Sequence, residues 1–229
     1  MVTEEVIRAH YAALIAQFPN LSSLEKREKV WKISGTVDMI DDEGNYWTTY
    51  AVSVFIPFDF PSSLPWMEET GGRIEQHEDW HNVKSCCVST PAIMFAELAD
   101  DFTLSNWFIK FAYPFLMNHV FRLETGGYAN GEFDHYTPGT LQGYFKLLKT
   151  TNVKEVIERL KLMSGVKPMG KNAKCFCGSG KRIKDCYSAN PNSHMLNIPE
   201  YQLRYDLEAI LTYERGKRKI AAPPQNENV

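Results

Sequence analysis

Residues 29–56, KVWKISGTVDMIDDEGNYWTTYAVSVFI, decide the fold of this 229-residue chain. In the first half of the stretch, apolar residues alternate with polar ones, and the apolar set is Trp31, Ile33, Val37 and Met39. In the second half, a matching apolar set falls on one face: Tyr50, Val52, Val54 and Ile56. The polar segment 41–45, DDEGN, is typical of a hairpin loop. The period of two therefore predicts an antiparallel meander with one buried face.

Helical patterns surround this meander and make the predicted fold class α+β. Thr3 is expected to cap a first helix whose first turn is acidic. Three prolines are expected to end ladder pairing after the second strand and to form a rigid crossover: Pro57, Pro61 and Pro65. Further helices are predicted over residues 104–124 with a kink at Pro114, over 140–148, from a cap at Asn152 to 163, and over 199–214.

The segment 79–91, DWHNVKSCCVSTP, places an imidazole, a carboxamide and two adjacent thiols in one short loop. A cysteine thiolate can carry an acyl group as a thioester, and a nearby His or Asn can hold a proton or stabilise an oxyanion. Adjacent residues of an extended chain point to opposite sides, so at most one of Cys86 and Cys87 is expected to be a nucleophile. The structural alternative is that both are small core hydrophobes.

Composition excludes several classes of protein. The net charge of −3 is not typical of a protein that binds nucleic acid as a whole. The acidic start of the chain does not resemble a secretory signal, and residues 107–121 are too short and too polar for a membrane span. Five cysteines in two clusters do not suggest a disulfide framework. We therefore expect a cytoplasmic protein.

The order of these features resembles the ubiquitin-conjugating-enzyme (UBC-like) fold, over roughly residues 1–150. Within that superfamily the chain is most similar to prokaryotic members found in cyclic-oligonucleotide-based anti-phage signalling systems (CBASS). The resemblance rests on IPFDFP (56–61), ETGGRI (69–74), WHNV (80–83), CCV (86–88) and FRLE (121–124), followed by Gly127, Glu132 and His135.

The resemblance implies that Cys87 is the catalytic cysteine, because it precedes the small aliphatic Val88. It also implies that Asn82, beside His81, helps to stabilise the oxyanion when an amine attacks the thioester. Two features depart from the family pattern: no proline separates His81 from Asn82, and the loop that leads to Cys87 lacks an Asp-Gly turn. His135, in a polar loop with Asp134, is a weaker candidate that a surface turn also explains.

Family members of the short systems attach the C-terminal glycine of a cyclic-nucleotide synthase (CD-NTase) to lysines of acceptor proteins. The resemblance therefore implies a transferase for ubiquitin-like conjugation in antiviral defence. The alternative hypothesis is a non-catalytic UBC-like adaptor with structural cysteines.

A second cluster, CFCGSGKRIKDCY (175–187), resembles the SEC-C zinc motif. Its glycines permit a tight turn, so that thiolates two residues apart can converge on one tetrahedral zinc ion. The resemblance implies the ligands Cys175, Cys177 and Cys186, but Tyr187 stands where the fourth ligand belongs. His194 is one candidate for the fourth position; water, Asp185 and loss of the metal are the alternatives. A weaker interpretation takes the basic residues of this motif as a phosphate-contacting patch.

The expected organisation follows from these two resemblances. It consists of a UBC-like conjugating domain (1–150), a linker helix (151–168), a zinc knuckle (169–195), a C-terminal helix (196–215) and a disordered tail (216–229). Structural zinc is the one cofactor expected. In a segment this small, zinc binding of about 10 kcal/mol would be what folds the knuckle.

Overall fold

A computed structural model describes residues 2–74, 85–129, 133–166, 170–175, 179–186 and 197–221, with side chains to residue 217. The chain divides into two compact units, Met1–Glu132 and Phe133–Val229. The functional boundaries expected from the sequence stay predictions.

The first unit opens with helix α1, Glu4–Ile15. The side chain of Thr3 accepts a hydrogen bond from the backbone N–H of Val6, so the predicted cap is confirmed. Two acidic residues in the first turn lie at the positive end of the helix dipole. The apolar face of the helix buries Ile7 and Leu14, and α1 packs against the later helix α3, Leu104–Trp107.

The described residues form one antiparallel sheet of four strands in the order β1-β2-β3-β4. The strands are β1 (Ser23–Lys26), β2 (Val30–Ile40), β3 (Tyr46–Pro57) and β4 (Trp66–Glu69). The central pair is long and regular: Trp31 lies opposite Ile56, and Val37 opposite Tyr50. The predicted meander and its hairpin are therefore confirmed.

One face of the sheet carries the core of the first unit. All eight apolar residues predicted to share the inner face are at most 4% exposed, and Met67 of β4 joins them. Full burial of one large aliphatic side chain stabilises the fold by about 1.5–3 kcal/mol. The alternating pattern thus fixes which face the helices cover.

The prediction about the prolines was wrong in one respect. Pairing stops in the proline-rich segment after β3 but resumes directly after Pro65, where Trp66 of β4 pairs with Phe55. Proline restricts only the ladder positions that need its missing N–H, so a strand can begin at the next residue. The two outer strands, β1 and β4, were not predicted.

Helices α2 (Pro91–Leu98), α3 and α4 (Tyr113–Thr125) complete the first unit. A π-helical segment, Phe108–Ala112, joins α3 to α4 in place of a simple kink. Pro114 follows this segment at the first turn of α4, where a missing N–H is tolerated. Helix α4 packs on β2 and β3 and ends at Gly126, whose φ of 80° is left-handed.

The second unit is built on three mutually packed helices, α5 (Tyr136–Leu148), α6 (Val153–Met163) and α8 (Glu200–Ala221). The predicted cap is confirmed, because Asn152 accepts from the backbone N–H of Lys154 and Glu155. Helix α5 starts four residues earlier than expected. Residues 216–221, assigned from the sequence to a disordered tail, belong to α8, and residues 222–229 lie outside the described residues.

A short helix α7, Ile183–Cys186, lies within the cysteine-rich segment. Across the described ranges, no helix combines the length and the apolar character that a membrane span requires.

Candidate functional site

Glu69, the last residue of β4, organises the turn that leads away from the sheet. Its carboxylate is only 7% exposed and accepts three backbone hydrogen bonds. Oε1 accepts from Gly71 N at 2.8 Å, and Oε2 accepts from Arg73 N at 2.9 Å and from Ile74 N at 3.2 Å. Gly71 lacks a Cβ that would lie 2.8 Å from Oε1. The turn is therefore built around this carboxylate.

Cys86 ties the returning chain to the same strand. Its backbone N–H donates to the carbonyl of Met67 at 2.7 Å, and its side chain is 5% exposed. Burial raises the pKa of the Cys86 thiol to about 12, although the backbone N–H of Glu69 that bonds the thiol acts in the opposite direction. At neutral pH Cys86 is therefore a neutral thiol and a poor nucleophile.

Cys87 differs from its neighbour because it is exposed. The predicted alternation of the two side chains is thus confirmed: one is packed inside and the other faces outward. The chain then continues into α2, where Thr90 accepts from the backbone N–H of Ile93 and caps the helix. Cys87 therefore lies between a residue bonded to β4 and the start of α2.

His81 and Asn82 belong to residues 75–84, which lie outside the described residues. Their assignment to proton transfer and oxyanion stabilisation stays a prediction. The structure does describe both ends of this segment, Ile74 held by Glu69 and Cys86 held by Met67.

A buried polar pair on the inner face of the sheet was missed by the sequence analysis. The hydroxyl of Tyr50 on β3 lies 2.6 Å from Nδ1 of His119 on α4, and both residues are buried. Burial raises the pKa of Tyr50 to about 12, with Arg73 acting in the opposite direction and Glu69 in the same one. Tyr50 was predicted as a core residue, but no local pattern pairs it with a histidine 69 positions away.

The loop with Asp134 and His135 has a structural explanation. Asp134 exchanges two hydrogen bonds with Gln142 of α5, both at 2.7 Å. A Cβ at Gly139 would clash with the Asp134 carbonyl, so the loop lies directly against the helix. His135 precedes α5 at its N-cap position. These contacts favour the surface-turn interpretation.

In the described part of the cysteine-rich segment of the second unit, an antiparallel bridge is followed by one helical turn. Lys174 and Arg182 form an antiparallel bridge, and Cys175 N donates to the Lys181 carbonyl at 2.7 Å. Cys186 closes α7, and its sulfur lies 3.2 Å from the Ser179 hydroxyl. Cys175 is buried and Cys186 is half-buried.

Cys175 and Cys186 are the two predicted zinc ligands that the structure describes, and thiolates are donors that zinc prefers. The other two predicted ligands, Cys177 and His194, lie outside the described residues. Within the described ranges, no group of three His, Cys, Asp or Glu side chains is arranged to hold a metal ion. The predicted zinc site therefore stays a prediction.

Comparisons with protein-family models, curated proteins and solved structures found no match to this chain.

Proposed function

We propose that the chain is a cysteine-dependent acyl transferase of the ubiquitin-conjugating type, in which Cys87 carries a protein C-terminus as a thioester. The observation that supports this proposal best is the contrast between the two adjacent cysteines. Cys86 is buried with a pKa of about 12, whereas Cys87 is exposed at the same loop. An acyl carrier must meet both a donor and an acceptor, so only Cys87 suits the role.

The chemistry requires two transfers that balance. The Cys87 thiolate attacks the activated carbonyl of the donor, a C–S bond forms, and the leaving group departs with the bonding electrons. A lysine amine then attacks the thioester, a C–N bond forms, and the Cys87 thiolate is released while the amine loses a proton. Asn82 and His81 would stabilise the oxyanion and assist with the proton in the second transfer.

The fold is compatible with this proposal at the coarse level. A first helix, a four-stranded antiparallel meander and later helices follow one another in the order expected of a UBC-like domain. By the same resemblance, the acyl group would be the C-terminal glycine of a CD-NTase, the acceptors would be lysine-bearing proteins, and the setting would be cytoplasmic anti-phage defence.

Mass spectrometry after co-expression with a candidate CD-NTase tests the carrier. We expect a hydroxylamine-sensitive adduct on Cys87, a more stable ester or loss of conjugation in Cys87→Ser, and an unaltered adduct in the matched control Cys86→Ala. Full conjugation by Cys87→Ala would refute the proposal. No adduct on the wild-type chain would favour the non-catalytic adaptor.

Single-turnover transfer tests the two loop residues. Loss of one oxyanion donor typically slows a reaction about 10²–10³-fold. Asn82→Ala should therefore discharge its thioester far more slowly while loading persists. Unchanged loading and discharge in Asn82→Ala would mean that Asn82 has only a structural role.

We also propose that residues 170–195 bind one structural zinc ion through Cys175, Cys177, Cys186 and His194. The bridge between Lys174 and Arg182 and the turn of α7 support this assignment, because Cys175 follows the bridge and Cys186 ends the turn. Bound zinc would supply the folding free energy that so small an element lacks, about 10 kcal/mol. The knuckle would then serve as a docking element.

Metal analysis of the purified chain should find about one zinc ion, since a tetrahedral site holds one. Cys177→Ser should release the ion, with unfolding confined to the knuckle. His194→Ala resolves the fourth ligand: unchanged affinity would mean that water, Asp185 or another group completes the site. If protein purified under reducing conditions contains no zinc, the assignment is overturned.

A further inference from the structure

Glu69 is a buried carboxylate that the proposed chemistry does not use. A carboxylate is costly to bury unless hydrogen bonds replace its lost water. Here three backbone N–H groups do so, all from the turn that follows β4. Hydrogen bonds to a charged acceptor are about twice as strong as neutral ones. The position of this turn is therefore set by one side chain.

The same residue also contacts the strand-bound neighbour of Cys87. The backbone N–H of Glu69 bonds to the Cys86 thiol, and the Cys86 N–H donates to Met67 two residues earlier on β4. Both ends of the loop, Ile74 and Cys86, are therefore fastened to one strand of four residues.

We propose that Glu69 is a positioning residue for acyl transfer: its carboxylate holds the turn at residues 70–74 and with it the end of β4, the strand to which the backbone of Cys86 is bonded. This inference rests on the proposed function of Cys87. Effective molarity depends on geometry, and a misplacement of about 1 Å far from the reacting atoms can cost 10²-fold in rate. Simple alkylation of an exposed thiol has no such requirement. Glu69 should therefore matter to transfer and not to the reactivity of Cys87 towards small reagents.

The test compares Glu69→Gln with Glu68→Gln, a change at the neighbouring glutamate, which is half-buried. The amide side chain that Glu69→Gln introduces would place an NH₂ group among N–H donors, so at least one charged-acceptor bond is lost. The loss corresponds to about ten- to a hundredfold faster hydrogen exchange at the amides of Gly71, Arg73 and Ile74.

The activity probe is a synthetic peptide thioester that ends in glycine, with free lysine as the acceptor. The Cys87 thiolate attacks the donor thioester, forms a new thioester and releases the thiolate of the donor. The lysine amine then attacks this new thioester, forms the amide, loses a proton and releases the Cys87 thiolate. We expect Glu69→Gln to discharge at least tenfold more slowly than Glu68→Gln, with iodoacetamide labelling of Cys87 within about twofold of wild type.

Two results would overturn the inference while leaving the proposed function intact. One is a wild-type chain that transfers and a Glu69→Gln variant that discharges as fast as Glu68→Gln. The other is rapid alkylation of Cys86 in Glu69→Gln, which would reveal local unfolding of β4 and a purely structural role. Failure of the wild-type chain to accept the acyl group would instead refute the proposed function, and the inference with it.

Discussion

Removal of the Tyr144 hydroxyl should show how strongly the buried carboxylate of Asp206 affects the stability of the second unit. Tyr144 on α5 is fully buried, and its hydroxyl donates to Oδ2 of Asp206 on α8 at 2.8 Å. Gln202 donates to Oδ1 at 2.9 Å, and Asp206 is 3% exposed. Burial raises the pKa of Asp206, whereas the hydrogen bonds from Tyr144 and Gln202 lower it. The substitution Tyr144→Phe removes one of these two donors and changes little else.

The size of the effect follows from the charge on the acceptor. A hydrogen bond to an ionised group contributes about 1.5–3 kcal/mol, and one between neutral groups about 0.5–1.5 kcal/mol. Tyr144→Phe should therefore lower the free energy of unfolding by about 2 kcal/mol where the carboxyl of Asp206 is ionised, above its folded-state pKa, and by about 1 kcal/mol where it is protonated, below that pKa. For a unit of this size these losses correspond to a fall in Tm of about 10 °C and about 5 °C.

The sign of the pH dependence follows from linkage. The pKa of Asp206 is higher in the folded state than its ordinary value of 3.8, so between those two pKa values the folded state binds more protons. The stability that Asp206 contributes is thus fully present below pH 3.8 and is lost as the pH rises through its folded-state pKa. Loss of the Tyr144 hydroxyl raises that pKa further, so the variant should lose more stability than wild type over this rise.

The assay can separate the two units spectroscopically. All five tryptophans lie in the first unit, so their fluorescence follows its unfolding, whereas circular dichroism at 222 nm follows the helices of both units. The matched control is Tyr205→Phe, whose ring is 70% exposed on α8. We expect no shift in the control. A Tyr144→Phe variant whose loss of stability does not grow as the pH rises through the folded-state pKa of Asp206 would refute the reasoning.

Three further outcomes are expected. Iodoacetamide at pH 7 should label Cys87 at least tenfold faster than Cys86, and equal rates would contradict the assigned burial. Gly35→Ala should destabilise the first unit by about 1–3 kcal/mol or more in urea unfolding, because its Cβ would clash with a main-chain oxygen; Gly127→Ala, with open space around it, should be nearly neutral. The carboxyl of Asp41 should titrate with a pKa of about 2 by NMR, chiefly because a side-chain amide donates to it. The stability that this carboxylate contributes is therefore present above pH 3.8 and is lost as the pH falls through 2. A titration midpoint at pH 3.8 would disprove this.

The parts of the fold that could be predicted are those specified by neighbours along the chain. Alternation over eleven residues located β2, because a period of two commits every second side chain to one face. The caps at Thr3 and Asn152 were equally local, since each side chain bonds to N–H groups two or three positions away. The end of α4 at Gly126 required only a residue that tolerates a positive φ.

The outer strands could not be predicted in this way. Strands β1 and β4 have four residues each, too few to show a period. Their existence depends on pairing with β2 and β3, which is a property of the assembled sheet. The π-helical segment before Pro114 was likewise not predicted, and a simple kink was expected in its place.

The residues of the candidate site also differ in whether their neighbours along the chain or only the folded structure could reveal them. Sequence adjacency alone predicted that Cys86 and Cys87 face opposite ways, and packing on β4 decides that Cys86 is the inner one. The sequence did not indicate that Glu69 is buried, because a glutamate at the end of a strand is ordinarily solvated. Its burial becomes favourable only once the turn at residues 70–74 directs three N–H groups towards it. Among the described residues, the hydrogen bonds to this carboxylate come from backbone N–H groups, which any residue type supplies, so no sequence pattern marks Glu69 and its part in the turn is found from the structure.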